Sequence, residues 1–334
     1  MKVGLTYDLR EDYGIDKDSM IFADFCHPDE IGYMLASINR NGFEAVSIGN
    51  MYKLNERIKT GTLGCDIVLV CDEGIASRNR EAIVPALLEL NKIPYVGSDA
   101  YCMGLSQNKY HTKLVAKELN IRCPKGIYLE YEEGEEADIT KIKEMLYKEN
   151  LDYPLLVKPN EEGYSMGVFL VHNDEELLSS VKSNFYNYHE PVLVEEFIQG
   201  KEVYVPIVGT GKDAYALTVG AVVAEDGSDV EIYSVEDKCY DWSHYEEAEI
   251  PEDIKKIMME DSLKLYRHMG CRDFGRCDFR LTKEGEPVMI EITPRPGLTE
   301  EGPFESCAKA VGKTYDQILK EIIESAAKRY GITG

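Results

Sequence analysis

Two carboxylates in the C-terminal part of the chain occupy positions from which they can hold one cation. Residues 276–282 and 287–293 are alternating runs joined by a short connection that includes a glycine, a pattern typical of an antiparallel hairpin. With that loop length, Asp278 faces Glu291 across the strand pair, with β-carbons about 5 Å apart. Like charges at that separation destabilise a sheet, and a bound Mg²⁺ removes the penalty because carboxylate oxygens suit it as ligands.

The remaining residues of the hairpin leave a second interpretation open. Arg276 is predicted to face Thr293, and Arg276 and Arg280 together can neutralise the two acids on a solvated face without a metal. The opposite face is predicted to be apolar and to pack on a core; it holds Cys277, Phe279, Leu281, Val288, Ile290 and Ile292.

A lysine directly after a predicted buried strand faces a loop that contains small residues. Lys158 precedes Pro159, and the loop 160–167 reads NEEGYSMG. The backbone N–H groups of such a loop, together with the charge of the lysine, suit a phosphate group. The alternative is an ordinary turn between two strands with a lysine on the surface.

A second predicted strand, residues 191–198, ends in two acidic residues. Its alternation breaks at Glu195, which leaves backbone groups exposed to hydrogen-bond an adenine edge, and Glu202 lies far enough along the chain to reach a ribose hydroxyl. The alternative is a charged end of a hairpin. Beyond it, the polar stretch 236–249, which contains Lys238, is either a loop that closes over a site or a surface loop covering the hairpin.

Other kinds of catalytic site find no support in the sequence. The six histidines show no triad or metal spacing, and no serine stands in a G-x-S-x-G context. No G-x-G-x-x-G follows the first predicted strand, where residues 7–10 read YDLR, so a dinucleotide site would lack its phosphate loop.

The charge of the chain restricts its partners. With 37 basic against 61 acidic residues the net charge is −24, which argues against binding to nucleic acid or an anionic membrane. A phosphate ligand must then be held by local lysines, arginines and backbone N–H groups. The nine cysteines form no C-x-x-C pair, and neither a signal peptide nor a membrane-spanning run is visible, so reduced thiols and a cytoplasmic location are expected.

Alternating strands and helices over about the first hundred residues predict an open α/β domain with a parallel sheet. Strands are predicted at 2–7, 43–48, 66–71, 93–96, 154–157, 168–172, 191–198, 202–208, 215–224 and 230–235, besides the hairpin. Helices are predicted from Pro28 to Gly42, at 81–91, 105–119 and 139–148, from Asp174, and at 251–269 and 315–330.

These motifs, in this order, resemble the ATP-grasp superfamily and, more narrowly, the D-alanine–D-alanine ligase family. The blocks that carry the resemblance are 91–99, 106–113, 155–168, 192–203, 275–299 and 310–323. It covers residues 80–330 well and the first 70 poorly. The resemblance implies the ATP-grasp fold (α/β, α+β) with an N-terminal open parallel-sheet domain, and the domains are predicted as 1–103, 104–196 and 197–334.

The resemblance also implies the roles of individual residues. Lys109 and Lys158 would contact the phosphates of ATP, under a loop formed by Gly163, Tyr164, Ser165 and Met166; Glu195 and the backbone of Phe197 and Ile198 would meet the adenine, and Glu202 the ribose. The Mg²⁺ positions, where Mn²⁺ is an alternative ion, are Asp278, Glu291 and Thr293. Lys238 would approach the γ-phosphate, while Arg276 and the backbone of Gly297 would stabilise a tetrahedral intermediate.

Three departures from the family bear on the substrates. Thr293 stands where the family has asparagine, so either one or two metal ions are expected. Residues 8–14 replace the Gly-rich turn that carries the family's first-substrate glutamate, and residues 299–303 lack the serine expected to meet a carboxylate. We therefore expect an ATP-dependent carboxylate–amine ligase that forms an amide through an acylphosphate on amino-acid-like substrates other than two D-alanines.

Candidate substrate residues and two rival functions complete the predictions. Arg78, Arg276 and Arg295 are candidates for a substrate carboxylate, and Glu73, Glu300 and Glu301 for an amine. The rivals are a true D-alanine–D-alanine ligase and a non-catalytic protein that binds ATP as a regulatory ligand. The expected partners are small carboxylates and amines, without nucleic acid or membrane, and the family resemblance implies a homodimer.

Overall fold

The structure is a computed structural model that describes residues 1–16, 22, 24–75, 77–130, 132–134, 136–230 and 243–332. Three β-sheets, each packed with helices, make up this part of the chain. Within it, none of the helices combines the length and apolar character needed to cross a bilayer.

The first sheet is parallel, as predicted. Its strands are β1 (Lys2–Thr6), β2 (Glu44–Gly49), β3 (Ile67–Val70) and β4 (Tyr95–Val96), and they lie in the order β2-β1-β3-β4. The helices between them are α1 (Pro28–Arg40), α2 (Met51–Thr60) and α3 (Ile83–Leu90). Every residue of β3 is buried, which explains its continuous apolar run.

Helix α2 was not predicted, because its apolar signal is short. Only Met51 and Leu54 are buried among its ten residues, and the other side chains are mostly polar. The signal for its start is a cap: the side chain of Asn50 accepts a hydrogen bond from the N–H of Lys53.

The central part of the chain builds a four-stranded antiparallel sheet. It contains α4 (Ala100–Gln107), α5 (Lys109–Glu118), β5 (Gly126–Leu129), α6 (Ile139–Glu149), β6 (Leu155–Pro159), β7 (Phe169–Val171), α7 (Asp174–Tyr188) and β8 (Val192–Glu196), with strand order β5-β8-β6-β7. The single helix predicted at 105–119 is wrong. Asn108 leaves the helical conformation and caps α5 by accepting from the N–H of His111, so two helices meet there.

The third sheet is antiparallel and carries the predicted hairpin. Its elements are β9 (Gly200–Val208), β10 (Tyr215–Ala216), β11 (Gly220–Ala224), β12 (Ser243–Glu247), α8 (Glu252–His268), β13 (Phe274–Thr282), β14 (Pro287–Thr293), α9 (Pro303–Ala310) and α10 (Tyr315–Tyr330). The strand order is β12-β11-β9-β13-β14, and β10 pairs with β9.

Two predictions in this region need correction. The strand predicted at 215–224 is two strands, because residues 217–219 leave the ladder. The loop predicted at 236–249 contains strand β12, which pairs with β11 through contacts such as Tyr245 opposite Val222. The first half of that loop and the strand predicted at 230–235, apart from Val230, lie outside the described residues.

The first and last parts of the chain share one hydrophobic core. Leu5 of β1 and Ile38 of α1 belong to the same buried cluster as Phe274 of β13 and Ile323 of α10. Helix α10 thus fixes the first sheet against the strand that leads into the hairpin, which holds the carboxyl ends of β1 and β3 near the hairpin's end.

Candidate active site

The hairpin has the predicted register at the residues that matter for a cation. Arg276 lies opposite Thr293 and Asp278 lies opposite Glu291, so both predicted pairs are confirmed. Immediately beyond Asp278 the register shifts by one residue at a β-bulge, and Phe279 lies opposite Met289.

The bulge changes which residues of β14 face the core. Met289 joins the buried cluster with Phe279 and Ile292, whereas Ile290 is only partly buried and Val288 lies opposite Arg280. The predicted face is therefore wrong at both Val288 and Ile290, because an extra residue reverses the alternation along half of a strand. Val288 is nevertheless buried as predicted, whereas Ile290 is not.

Arg276 donates two hydrogen bonds to the carboxylate of Asp278, two residues further along the same strand. Its Nε donates to one oxygen of Asp278 at 2.7 Å, and its Nη2 donates to the other at 2.9 Å. Burial alone would lower the pKa of Arg276, but the carboxylate of Asp278 outweighs burial and raises it. The residue predicted to meet an oxyanion is thus held in one orientation and permanently charged.

Lys109 lies between the loop 160–167 and the hairpin. It is the first residue of α5, its ammonium group donates to the backbone carbonyl of Glu162, and its Nζ is 4.0 Å from a carboxylate oxygen of Glu291. The structure therefore brings Lys109, which is predicted to contact the phosphates, close to Glu291, which is predicted to bind the metal. The two residues are far apart in the sequence, so their proximity could not be predicted from it.

Glu195 is enclosed by two lysines. Its side chain is 3% exposed, one oxygen contacts the ammonium group of Lys113, and the other lies 2.7 Å from Nζ of Lys158. Burial by itself would raise the pKa of Glu195, but the two ammonium groups outweigh it and lower the pKa to about 2. Burial, countered by the contact with Glu195, lowers the pKa of Lys113 to about 8.

Lys113 is a site residue that the predicted set does not include. It stands four residues after Lys109 on α5, so both lysines lie on the same face of that helix. That i, i+4 spacing was the available signal. Its partner Glu195 on β8 is 82 residues away in the chain, so the pairing exists only in the folded chain.

The loop predicted to cover the phosphates has an unusual backbone. Tyr164 and Ser165 have φ values of 55° and 63°, and the N–H of Met166 donates to the carbonyl of Gly163 at 3.0 Å. The loop ends at Gly167, whose carbonyl accepts from the side chain of Asn184 on α7 at 3.0 Å. The arrangement turns a compact loop toward Lys109 and anchors it on a helix.

The residues predicted to meet adenine and ribose follow β8. Phe197 and Ile198 are half-buried, and the N–H of Phe197 donates to the carbonyl of Pro154 at 3.4 Å. Glu202 forms an ion pair of 2.9 Å with Arg280, across the pairing of β9 with β13. Lys238 lies outside the described residues.

Some of the predicted substrate residues come together and others do not. Arg295 is buried, its guanidinium contacts Glu73 and lies 4.0 Å from Glu81, and it donates to the carbonyl of Cys71 at 3.4 Å. Arg78, by contrast, has a side chain that is 71% exposed and its nearest acid, Glu161, is 3.7 Å away.

The other predicted substrate residues lie after the hairpin. Glu300 and Glu301 are exposed, the N–H of Glu301 donates to Glu305 at 2.6 Å, and Gly297 is exposed at the end of the site. Their roles stay predictions, as does the pairing of Thr293 with a metal.

The donor set of the hairpin fits Mg²⁺. Asp278 and Glu291 offer carboxylate oxygens from facing positions, and Thr293 offers a hydroxyl on the next pair. Among the described residues no group of three or more histidines, cysteines or acids could hold a metal ion. The protein would therefore supply two carboxylates, and nucleotide phosphates and water would complete the shell, the usual arrangement for Mg²⁺.

Comparison with known proteins gives the same family along most of the chain. The family described as "D-ala D-ala ligase C-terminus" matches residues 115–324. The curated D-alanine–D-alanine ligase of Pelotomaculum thermopropionicum is 27% identical over 288 residues, which is 86% of this chain and 88% of that protein.

Solved structures share the fold over the whole length. The D-alanine–D-alanine ligase of Bacillus anthracis, solved in complex with ATP, matches with a TM-score of 0.75 at 23% identity, over 100% of this chain and 99% of that one. The VanG D-Ala:D-Ser ligase of Enterococcus faecalis matches with a TM-score of 0.74 at 21% identity, over 97% of this chain and 99% of that one.

The predicted fold class, with its open parallel sheet at the start of the chain, is confirmed by these structures. Since the matched family covers more than half of the chain, the protein belongs to the D-alanine–D-alanine ligase family and is an ATP-dependent ligase.

Proposed function

We propose that this protein joins the carboxylate of one amino-acid-like substrate to the amine of a second, using ATP and Mg²⁺. The carboxylate is first phosphorylated by ATP, and the amine then attacks the acylphosphate to give an amide, ADP and phosphate. The reaction asks the protein to position its substrates and neutralise charge, with no side-chain nucleophile.

The observation that carries this proposal is the register of the hairpin. It sets Asp278 opposite Glu291 and places Arg276 next to them on the same face, where its Nε and Nη2 donate to Asp278. Two acids beside an arginine fit a catalytic site better than a site that only binds ATP. A protein that only binds ATP does not need an arginine to stabilise an oxyanion that forms during a reaction.

Each remaining residue acts on a defined part of the reaction. Lys109 and Lys158 balance the phosphate charge, and the loop Gly163–Met166 offers backbone N–H groups above it. Arg276 and the backbone of Gly297 stabilise the oxyanion formed when the amine adds to the acyl carbon. Mg²⁺, held by Asp278 and Glu291, would neutralise charge on the phosphates.

We propose further that the substrates are not two D-alanines. Residues 8–14 hold no Gly-rich turn, and residues 299–303 carry Glu300 and Glu301 in place of a serine. A true D-alanine–D-alanine ligase is the second candidate, and the names of relatives such as the Pelotomaculum protein favour it.

The test is release of phosphate from ATP and Mg²⁺ in the presence of pooled amino acids and other small carboxylates and amines. The proposal expects release that needs a carboxylate and an amine together, with ADP rather than AMP as the nucleotide product. D-Alanine as the best substrate for both positions would establish the second candidate. Tight ATP binding without substrate-dependent turnover in any pool would refute both.

A further inference from the structure

An ion pair connects the segment after β3 to the loop 160–167. Arg80 begins a short 3₁₀ helix, Arg80–Ala82, that leads into α3. Its Nη2 donates to one carboxylate oxygen of Glu162 at 3.0 Å, and its Nη1 lies 3.5 Å from the other. The two side chains are 8% and 18% exposed, so solvent screens their attraction less than that of a surface pair.

The backbone that carries Arg80 is fixed by its neighbours. Its N–H donates to the carbonyl of Ser77 at 3.1 Å. Gly74, with a φ of 75°, passes so close that an added Cβ would lie 2.7 Å from the carbonyl oxygen of Arg80. The guanidinium of Arg80 therefore extends from a rigid base and can hold its partner in one place.

Stability alone is a weak reason for this ion pair. Taking two charges out of water offsets most of their attraction, so a pair of this kind adds little to the stability of a fold. The Nε of Arg80 is also buried and has no hydrogen-bond partner among the described residues, which costs about 1–3 kcal/mol. The placement of Arg80 therefore suggests a role in the site.

Glu162 also holds the lysine that is proposed to contact the phosphates of ATP. Its backbone carbonyl accepts a hydrogen bond from the ammonium group of Lys109, whose Nζ lies 4.0 Å from a carboxylate oxygen of Glu291. Glu162 thus contacts Arg80 through its side chain and Lys109 through its backbone. A shift of Glu162 would move the ammonium group of Lys109 with it.

Both ends of the loop are attached to other elements. The carbonyl of Asn160 accepts from the N–H of Lys109 at 3.1 Å, and its side chain accepts from the N–H of Tyr110 at 3.0 Å. At the other end, Asn184 on α7 donates to the carbonyl of Gly167. Glu162 lies between these attachments, where the pair with Arg80 adds a further one from the first part of the chain.

We propose that Arg80 is a positioning residue for ATP, which acts through Glu162 to direct the ammonium group of Lys109 and to hold the loop 160–167 over the phosphates. Arg80 itself makes no contact with the nucleotide, because its guanidinium is engaged by Glu162. The assignment rests on the proposed contact of Lys109 and of this loop with the phosphates of ATP.

The test compares ATP with adenosine, which lacks the phosphates, in binding assays with Mg²⁺ and without a second substrate. Glu162→Ala removes the carboxylate and leaves in place the backbone carbonyl that contacts Lys109. We expect Kd for ATP to rise about tenfold in Glu162→Ala and in Arg80→Ala, because a displaced ammonium group contacts the phosphates less well. Kd for adenosine should stay at the wild-type value, a split that a general loss of folding would not produce.

A double variant and a conservative variant test whether the pair acts as a unit. Arg80→Ala combined with Glu162→Ala should show the Kd for ATP of either single variant, because each already breaks the same contact. Glu162→Gln keeps an oxygen that can accept from Arg80 and should restore part of the affinity for ATP.

Arg40→Ala is the matched control for the loss of an ion pair. Arg40 donates to Asp316 through Nε at 2.7 Å and through Nη2 at 2.8 Å, and this pair joins α1 to α10. The variant should leave Kd for both ATP and adenosine unchanged. A rise in Kd for ATP alone in Arg40→Ala, as large as in Arg80→Ala, would overturn the positioning role.

Lys109→Met distinguishes the two ways in which the assignment can fail. If Lys109→Met weakens ATP but not adenosine, while folded Arg80→Ala and Glu162→Ala bind ATP as wild type does, the positioning role is wrong and the proposed function stands. Equal losses of ATP and adenosine affinity in Arg80→Ala and Glu162→Ala would also overturn the positioning role. Wild-type affinity for ATP in Lys109→Met would show that the proposed phosphate contact is wrong, and the role of Arg80 would fall with it.

Discussion

At the scale of single residues, two of the proposed site residues are held by charged neighbours. Arg276 donates two hydrogen bonds to Asp278, and Glu195 lies between two lysines. Such pairs fix side chains before any ligand arrives, which lowers the cost of organising the site during the reaction. They also make isosteric neutral variants informative, because shape is kept while charge is lost.

Glu291→Gln tests the predicted metal position. The amide keeps the size of the side chain but removes the charge that faces Asp278, so we expect turnover to fall about 100-fold or more while Tm stays near wild type. Glu286→Gln is the matched control, because Glu286 is exposed on the same hairpin and contacts Arg122. Wild-type rates in both Glu291→Gln and Asp278→Asn would show that the metal lies elsewhere.

Lys113→Met tests the enclosed carboxylate. The substitution leaves Glu195 buried with one cation instead of two, so we expect the variant to lose about 3 kcal/mol of stability and KM for ATP to rise about tenfold. The pKa of Glu195 should rise, because the first of its two lowering partners is gone. Lys117→Met, exposed one turn further along α5, should change neither. An unaltered KM for ATP in folded Lys113→Met would separate this cluster from nucleotide binding.

At the scale of elements, the sequence predicted pairings that depend on local pattern and missed those that depend on an inserted residue. Asp278 opposite Glu291 followed from alternation and loop length, but alternation carries no mark of the bulge that turns Met289 inward in place of Ile290. The same limit applies at Asn108, where one side chain divides a stretch with continuous helical character into α4 and α5.

Contacts between distant elements could not be predicted from the sequence, for a different reason. Lys113 and Glu195 have suitable charges, but so do many pairs in a chain with 37 basic and 61 acidic residues. Only the folded arrangement of the chain selects this pair, and that arrangement is decided largely by the burial of apolar side chains. The pairing of Asp278 with Glu291 was predictable because it depends on local spacing.

Gly167→Ala tests the loop that ends on α7. Gly167 has φ of 68°, and an added Cβ would lie 2.5 Å from Oδ1 of Asn184 and 2.7 Å from the ring of Tyr188. We expect the loop to shift, with KM for ATP rising at least fivefold and stability falling by about 2 kcal/mol. Gly312→Ala is the control for backbone strain alone, because its φ is 74° and nothing lies within 4 Å. Equal effects of the two substitutions on KM would remove the loop from the nucleotide site.

At the scale of the whole molecule, acidic groups lie in the interior as well as on the surface. The net charge is −24, and buried carboxyl groups add to the cost of that excess. Burial raises the pKa values of Glu81 and Glu190 to about 7. Burial and the nearby carboxylate of Asp8 together raise the pKa of Asp72 to about 7. Glu195, stabilised by lysines, has a pKa of about 2 and behaves in the opposite way.

The direction of the pH dependence follows from these values. A carboxyl group with a pKa of about 7 in the folded state and 4.5 as its ordinary value holds more protons when folded between those limits. Stability from such groups therefore falls as pH rises from about 4.5 to about 7. The contribution of Glu195 is present above about pH 4.5 and is lost as pH falls toward 2.

Glu190→Gln isolates one of these groups. Its carboxylate accepts from the N–H of Glu161 at 2.6 Å, a bond that the amide oxygen of glutamine can also accept, so the variant removes the ionisation and keeps the contact. We expect wild-type Tm to be lower at about pH 8 than at about pH 5.5, and Glu190→Gln to raise Tm by about 2 °C or more at pH 8 and by a smaller amount at pH 5.5. Glu144→Gln, exposed on α6, should leave the slope unchanged. A slope equal to wild type in Glu190→Gln would mean that Glu190 ionises alike in the folded and unfolded chain, and the pH dependence would then arise from other buried carboxyl groups such as Asp72 and Glu81.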